Sequence, residues 1–236
     1  MLNFSRFTHL TFDCYGTLIN WEAGILAALQ PVLMRHGLSL SDDRVLELFG
    51  ELEAAAEAGP YQSYSAVLTT VLAGFSARLG FTLADDERDA LARSVPDWPP
   101  FPDSVAALGV LAKHFKLVIL SNIDDDLFAG SARHLQTDFA DVITAQQVGS
   151  YKPNIGNFRY ALQKLAIPSE QILHVAQSLF HDIVPAKAVG LTTVWVNRRH
   201  DRPGFGATPP ASAQPDLEVP DLRSLATLVE GQLAAR

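Results

Sequence analysis

With 236 residues and a formal net charge of −8, the chain has room for one large domain, or a core with a smaller insert, and lacks the basic face that nucleic-acid binding needs. No apolar run reaches the roughly 18 residues of a membrane span, and the start, Met1-Leu2-Asn3-Phe4-Ser5-Arg6, lacks the basic-then-apolar order of a secretory signal. Cys14 is the only cysteine, so no internal disulfide can form, and a cytoplasmic protein is the simplest reading.

Residues 8–13 read as a short apolar strand that stops at a carboxylate and enters a Gly turn. From Trp21 the spacing turns helical: Ile25, Leu26, Leu29, Val32 and Leu33 recur at three- and four-residue steps, with Pro31 expected to kink or end the helix. Ser41-Asp42-Asp43 opens a second helix, with Val45, Leu46, Leu48, Phe49 and Leu52 on its apolar face. Glu53 to Glu57 continues it as an alanine-rich stretch until Gly59-Pro60. A third helix is expected over 64–79 and a fourth over 85–95, followed by a rigid passage through Pro96, Pro99, Pro100 and Pro102.

Beyond that passage, strands alternate with helices. Strands are expected at 117–120, 141–144, 172–175 and 193–196, and helices at 104–114, 127–135, 157–165, 184–189 and 222–233. Residues 201–220 are rich in Pro, Ala and Gly and read as a surface loop, and Arg198-Arg199-His200-Asp201-Arg202 as a solvated one. Apolar strands separated by helices predict an α/β fold with a doubly wound parallel sheet covered on both faces. The helical stretch after the first strand predicts an inserted α-helical cap over the carboxyl edge of that sheet. The expected division is a core of residues 1–18 and 100–236 and a cap of residues 19–99.

Open α/β sheets bind ligands at the carboxyl ends of their strands. Asp13 sits at such an end, followed by Tyr15-Gly16-Thr17-Leu18. Ile119-Leu120-Ser121-Asn122, Tyr151-Lys152-Pro153-Asn154 and Val175-Ala176-Gln177-Ser178 running on to His181-Asp182 come later, at or beside strand ends. These four stretches, in this order, resemble the motifs of the haloacid dehalogenase (HAD) superfamily, and the resemblance covers nearly the whole chain. It implies a HAD-like Rossmannoid core and Asp13 as a carboxylate nucleophile whose ester or acyl phosphate is then cleaved by water.

Tyr15 selects among the superfamily's branches. Its phosphatases carry a second Asp at this position, which protonates the leaving alkoxide and whose carbonyl helps to hold Mg²⁺. A phenol with a pKa of ~10 suits that task poorly near neutral pH, whereas a halide leaves without a proton. Tyr15 therefore resembles the 2-haloacid dehalogenases, although a large ring packed under a cap is the plain alternative. Gln177 and Ser178 stand near the place of the phosphatases' Mg²⁺-binding acid, and neutral groups bind Mg²⁺ weakly. Metal-free chemistry with no cofactor is favoured. Asp124-Asp125-Asp126 precedes a helix and reads as N-capping.

Lys152 is expected to pair with Asp13 and Asp182. Ser121 and Asn122 offer a hydroxyl and an amide to a substrate carboxylate or leaving group. Thr17 either hydrogen-bonds Asp13 or holds the turn. Asp182 either orients the attacking water or caps the next helix, with His181 as a second candidate base. His9 and His174 lie on strands and read as satisfied core histidines, and Cys14 as a packed small residue.

The cap arginine that haloacid dehalogenases use has no clear counterpart. Arg35 and Arg44 are the nearest arginines, Leu48 to Leu52 holds no basic residue, and Phe158 stands where those enzymes carry a tyrosine. Tyr61 and Tyr64 are candidates to line the cap side. The expectation is metal-independent dehalogenation of small 2-haloalkanoic acids. A small-molecule substrate is expected, no nucleic acid or membrane partner, and a homodimer is allowed. A Mg²⁺-dependent phosphatase with altered motifs and a non-catalytic protein on a HAD scaffold are the rivals.

Overall fold

A computed structural model describes residues 2–234. β1 (His9–Phe12) leads through a turn into four helices: α1 (Trp21–Arg35), α2 (Asp42–Glu57), α3 (Tyr64–Leu79) and the short α4 (Ala90–Ser94). The remainder alternates: α5 (Ser104–Leu111), β2 (Lys116–Ser121), α6 (Asp125–Leu135), β3 (Asp141–Thr144), α7 (Ala145–Val148), α8 (Ile155–Leu165), β4 (Ile172–Ala176), α9 (Val184–Ala188), β5 (Thr192–Val196), β6 (Leu217–Val219) and α10 (Leu222–Leu233). The sheet is parallel throughout, in the order β3-β2-β1-β4-β5-β6. Its inner strands β2 and β4 are almost wholly buried, as a sheet with helices on both faces requires.

β1 lies between β2 and β4, with Phe12 in register with Ile119 and Val175. That is where the winding of the sheet reverses and a crevice opens at the carboxyl ends. The turn after β1 needs Gly16, whose φ of +92° an L side chain rarely adopts. Ile19 meets Pro100 in an isolated antiparallel bridge, Asn20 N–H donates to Pro99 (2.7 Å) and Phe101 N–H to Leu18 (3.0 Å). The chain thus leaves the sheet and returns to it through two adjacent strands. Trp98, on the return, packs so closely on α1 that a Cβ at Gly24 would stand 2.2 Å from its ring.

Four expectations need correction. Pro31 does not end α1: it lies on an exposed face beside exposed Ala27, so the carbonyl it leaves unbonded faces solvent. The fourth helix is reduced to Ala90–Ser94, because the buried Glu87 carboxylate takes the Ala84 N–H (2.9 Å) and pairs with His36 and Arg35. Residues 201–220 are not only surface loop, since β6 adds to the sheet edge and Ala207 and Thr208 are buried. The basic cluster is not solvated as a whole. Arg198 reaches Asp103 (2.7 Å) and the Thr17 carbonyl (2.8 Å) and lies over the Phe101 ring, while Arg199 pairs with Glu22 (2.9 Å).

Candidate active site

Three neighbouring strand ends bring the motif residues together. Asp13 follows β1 and is anchored by its N–H to the Val175 carbonyl of β4 (3.1 Å). Lys152 arrives from the loop after α7, and its ammonium is 1% exposed. It donates to Asp13 Oδ1 (3.0 Å), to Asp182 Oδ1 (2.6 Å) and to the Leu120 carbonyl at the end of β2 (2.9 Å). Asn122 holds the lysine's backbone from both sides: its Oδ1 accepts from Lys152 N–H (2.7 Å) and its amide donates to the Lys152 carbonyl (2.9 Å). The Asn122 amide expected to meet a substrate is therefore already spent on positioning the lysine.

Thr17 both holds the turn and bonds the carboxylate, joining the two alternatives open at the sequence level. Its hydroxyl donates to Asp13 Oδ2 (2.7 Å) and accepts from Gln177 N–H (2.8 Å). Asp182 lies in the turn after β4. Its Oδ1 also meets His174 Nε2 (3.0 Å), whose Nδ1 is paired with Thr11 (2.9 Å). His174 is thus a satisfied core histidine that steadies Asp182. Asp182 Oδ2 and Ser121 Oγ are buried without a hydrogen-bond partner.

Burial pushes the Asp13 carboxyl up and the Asp182 charge adds to this, against the pull of Lys152 and Thr17. Burial also pushes Asp182 up, but Lys152 and His174 outweigh it and hold that carboxyl below its ordinary range. Burial alone would strip Lys152 of its proton, yet Asp13 and Asp182 raise it, so the ammonium stays charged. Tyr15 is pushed well above the ordinary phenol range, chiefly by burial, and its hydroxyl is engaged with Ser131 of α6 (2.8 Å). Burial lowers His181 to about 4. Its N–H donates to Ser178 Oγ (2.8 Å), which caps the turn. Cys14 is buried and its thiol pushed up by burial, which fits a packed small residue.

These residues enclose a cavity of about 30 Å³, room for roughly two waters. Asp13, Tyr15, Ser121, Asn122, Lys152, Gln177, Ser178 and Asp182 line it from the core. Thr17 lies behind Asp13. The opposite wall is Tyr64 at the start of α3, expected on the cap side, with Glu53 and Glu57 of α2, which were not foreseen. Tyr64 donates its hydroxyl to Glu53. Burial raises Glu53 to about 7 and Glu57 well above the carboxylate range, Glu57 also feeling Glu53. The signal was present in the sequence, because Leu46, Phe49, Glu53 and Glu57 continue one helical face. Trp21 and Thr208 were missed as well.

No arginine reaches this wall among the described residues. Arg35 is taken up by Asp86 and Glu87, and Arg44 by Glu47 and Glu51. Tyr61 stands outside, its ring tilted 35° against that of Tyr151 (centroids 5.3 Å apart). Phe158 packs edge-on against His174 (5.2 Å). Asp124 corrects the capping expectation: it precedes α6 but makes no cap there, and its carboxylate accepts from Tyr64 N–H (2.9 Å) and Ser65 N–H (3.0 Å) at the start of α3.

A family model of haloacid dehalogenase-like hydrolases matches residues 7–190. The chain belongs to this family. A (S)-2-haloacid dehalogenase of Pseudomonas fluorescens is 23% identical over 225 residues, 94% of this chain and 96% of that one. A phosphoserine phosphatase of Thermus thermophilus is 31% identical over 182 residues, 74% and 68% of the two chains. A glyceraldehyde 3-phosphate phosphatase of Methanocaldococcus jannaschii aligns over 56 residues, so the match spans 25% of its length. Among solved structures, an L-2-haloacid dehalogenase superposes with a TM-score of 0.80 at 24% identity, over 98% of this chain and all of that one. At that identity the likeness speaks for the fold.

The phosphatases of the HAD family would place Mg²⁺ beside the attacking carboxylate. The donors of this HAD-like hydrolase do not fit the ion. Both Asp13 oxygens are engaged, Gln177 Oε1 accepts from Thr208 (3.3 Å) and Asp182 is tied to Lys152 through Oδ1, leaving its Oδ2 as a lone uncommitted carboxylate oxygen on the core side. No group of three His, Cys, Asp or Glu side chains is arranged to hold a metal among the described residues. No helix is long and apolar enough to cross a membrane.

Proposed function

We propose that this HAD-like hydrolase displaces halide from a small haloalkyl compound through an ester on Asp13, without a divalent ion. The observation that carries the reading is the pairing of a Lys152- and Thr17-held Asp13 with a buried Tyr15 whose hydroxyl is committed to Ser131. The side chain two residues after the nucleophile is then a committed phenol, not the carboxylic acid that the phosphatase pattern sets there. An Asp13 oxygen attacks the carbon bearing the halogen, the carbon–halogen bond breaks and halide leaves with the electron pair. Water then adds to the Asp13 carbonyl carbon. In this reading the unpartnered Asp182 Oδ2 accepts the water's proton, and as the tetrahedral intermediate collapses Asp182 returns it to the departing alkoxide, freeing the alcohol, while the Asp13 carboxyl releases its remaining proton to solvent. The division into a core of 1–18 and 100–236 and a cap of 19–99 would let the helices lift at the Ile19–Pro100 crossing to admit substrate.

The Tyr15 motif and the dehalogenase relative point to 2-haloalkanoic acids. The cap wall, however, supplies no positive charge for an acid's carboxylate. The test is halide release from short chloroalkyl compounds, 2-chloropropionate among them, in EDTA, with Asp13→Asn as control. ¹⁸O from labelled water should enter Asp13 over several turnovers. The identity with a phosphoserine phosphatase favours a second reading. Phosphate release from an aryl phosphate, abolished by EDTA and unaccompanied by halide release from any chloroalkane, would establish that reading and remove the first.

A further inference from the structure

We propose that Glu53, Glu57 and Tyr64 form a cation-binding wall, so that the substrate presents an ammonium group, not a carboxylate, to the cap. Glu53 is 4% exposed, and Tyr64 occupies one of its oxygens. Among the described residues, its other oxygen and both oxygens of Glu57 accept no hydrogen bond and pair with no basic side chain. Lys152 lines the same cavity but is saturated by Asp13, Asp182 and the Leu120 carbonyl. Glu53 is buried and Glu57 half-buried on the next turn of the same helix, so both carboxyls face the cavity without a counter-charge, which is costly for their ionised forms. An organic cation between them would offset that cost and draw both carboxyls into their ionised form, whereas a carboxylate there would find no counter-charge on this wall.

A second observation points to a ligand in the same space. Asp182 Oδ2 and Ser121 Oγ, both on buried residues that line the cavity, have no partner within the protein. The cavity therefore offers acceptors on both walls and no free cation. The wall is also built to hold its shape: Asp124 of the core fixes the backbone of Tyr64 and Ser65, and Tyr64 in turn fixes Glu53. The acceptors remaining on Glu53 and Glu57 suit the N–H donors of a primary ammonium.

The claim that this cation is the substrate's rests on Asp13 being the attacking group; the binding itself does not. The experiment is calorimetric titration of the full chain with propylammonium, propionate and 1-propanol, and halide release from 3-chloropropylammonium and 3-chloropropionate. Propylammonium is expected to bind at least ~10-fold more tightly than propionate or propanol, and Glu57→Gln to reduce that preference by ~10-fold or more. Glu57 takes no hydrogen bond, so this variant keeps its fold; the wild-type comparison stands even for a variant that does not. Propionate binding as tightly as propylammonium, no binding of propylammonium, or a preference unchanged in folded Glu57→Gln would each overturn the inference. Ammonium binding without halide release would uphold the wall and remove the carbon–halogen reading.

Discussion

Lys152→Met tests the arrangement on which the site depends. The ammonium is 1% exposed and lies 3.0 Å from Asp13 Oδ1 and 2.6 Å from Asp182 Oδ1. Methionine keeps the apolar stem and removes the charge and three donations. Asp13 retains Thr17 and Asp182 retains His174, so neither carboxylate is orphaned completely. Removing one partner of a buried pair costs about 3–5 kcal/mol, a large share of a typical total of about 5–15 kcal/mol. The dependence on pH carries the signature. In the wild type, burial raises Asp182, but Lys152 and His174 outweigh it and hold the folded pKa below 3.8. Its contribution is therefore full above the unfolded pKa and is lost only as pH falls through the lower folded value. In the variant, burial is no longer opposed by the lysine and both carboxyls rise. The folded state then binds protons more readily than the unfolded chain, and the deficit is greatest at pH 7 and shrinks towards pH 5. Urea unfolding of both proteins at the two pH values measures this. A deficit below about 1 kcal/mol at pH 7, or one equal at both pH values, would refute the idea that the lysine holds the two carboxylates together.

Thr17→Val leaves Asp13 Oδ2 and Gln177 N–H without the shared hydroxyl. A loss of about 1–3 kcal/mol, or ~5- to 150-fold, is expected in kcat more than in KM, read from steady-state halide release. Asp124→Ala frees the first N–H groups of α3 at a cost of about 1–2 kcal/mol, seen as a fall in Tm of roughly 2–8 °C. Glu53→Gln flattens part of the pH profile of stability. A carboxyl raised from 4.5 to about 7 favours the fold fully below its unfolded pKa, and that contribution is lost as pH rises through about 7. Wild-type stability should fall by about 3 kcal/mol relative to the variant between pH 4 and 8, measured by urea unfolding.

The strand–turn at Asp13, the helical run that follows and the alternation beyond the prolines were all legible, because hydrophobic period and Gly/Pro punctuation are local properties of a chain. The motif order was enough to bring Asp13, Lys152 and Asp182 to one place. β6 escaped notice because it is three residues long and lies between Pro215 and Pro220. Arg198 looked solvated because its partners, Asp103 and the Thr17 carbonyl, are remote in the chain.

The sequence by itself determined the α/β class, the helical insertion and the place of Asp13 at a strand end, since each follows from neighbours along the backbone. The tertiary structure alone decided which groups are spent and which remain free. Asn122 is used up on the lysine's backbone, Asp124 caps a helix of another layer, and Glu53 and Glu57 turn their helix's inner face acidic beside Asp13. A side chain's charge, donors and acceptors acquire their meaning only from what packs against them, and those partners stand far off in the chain, Lys152 139 residues from Asp13 and Arg198 181 from Thr17.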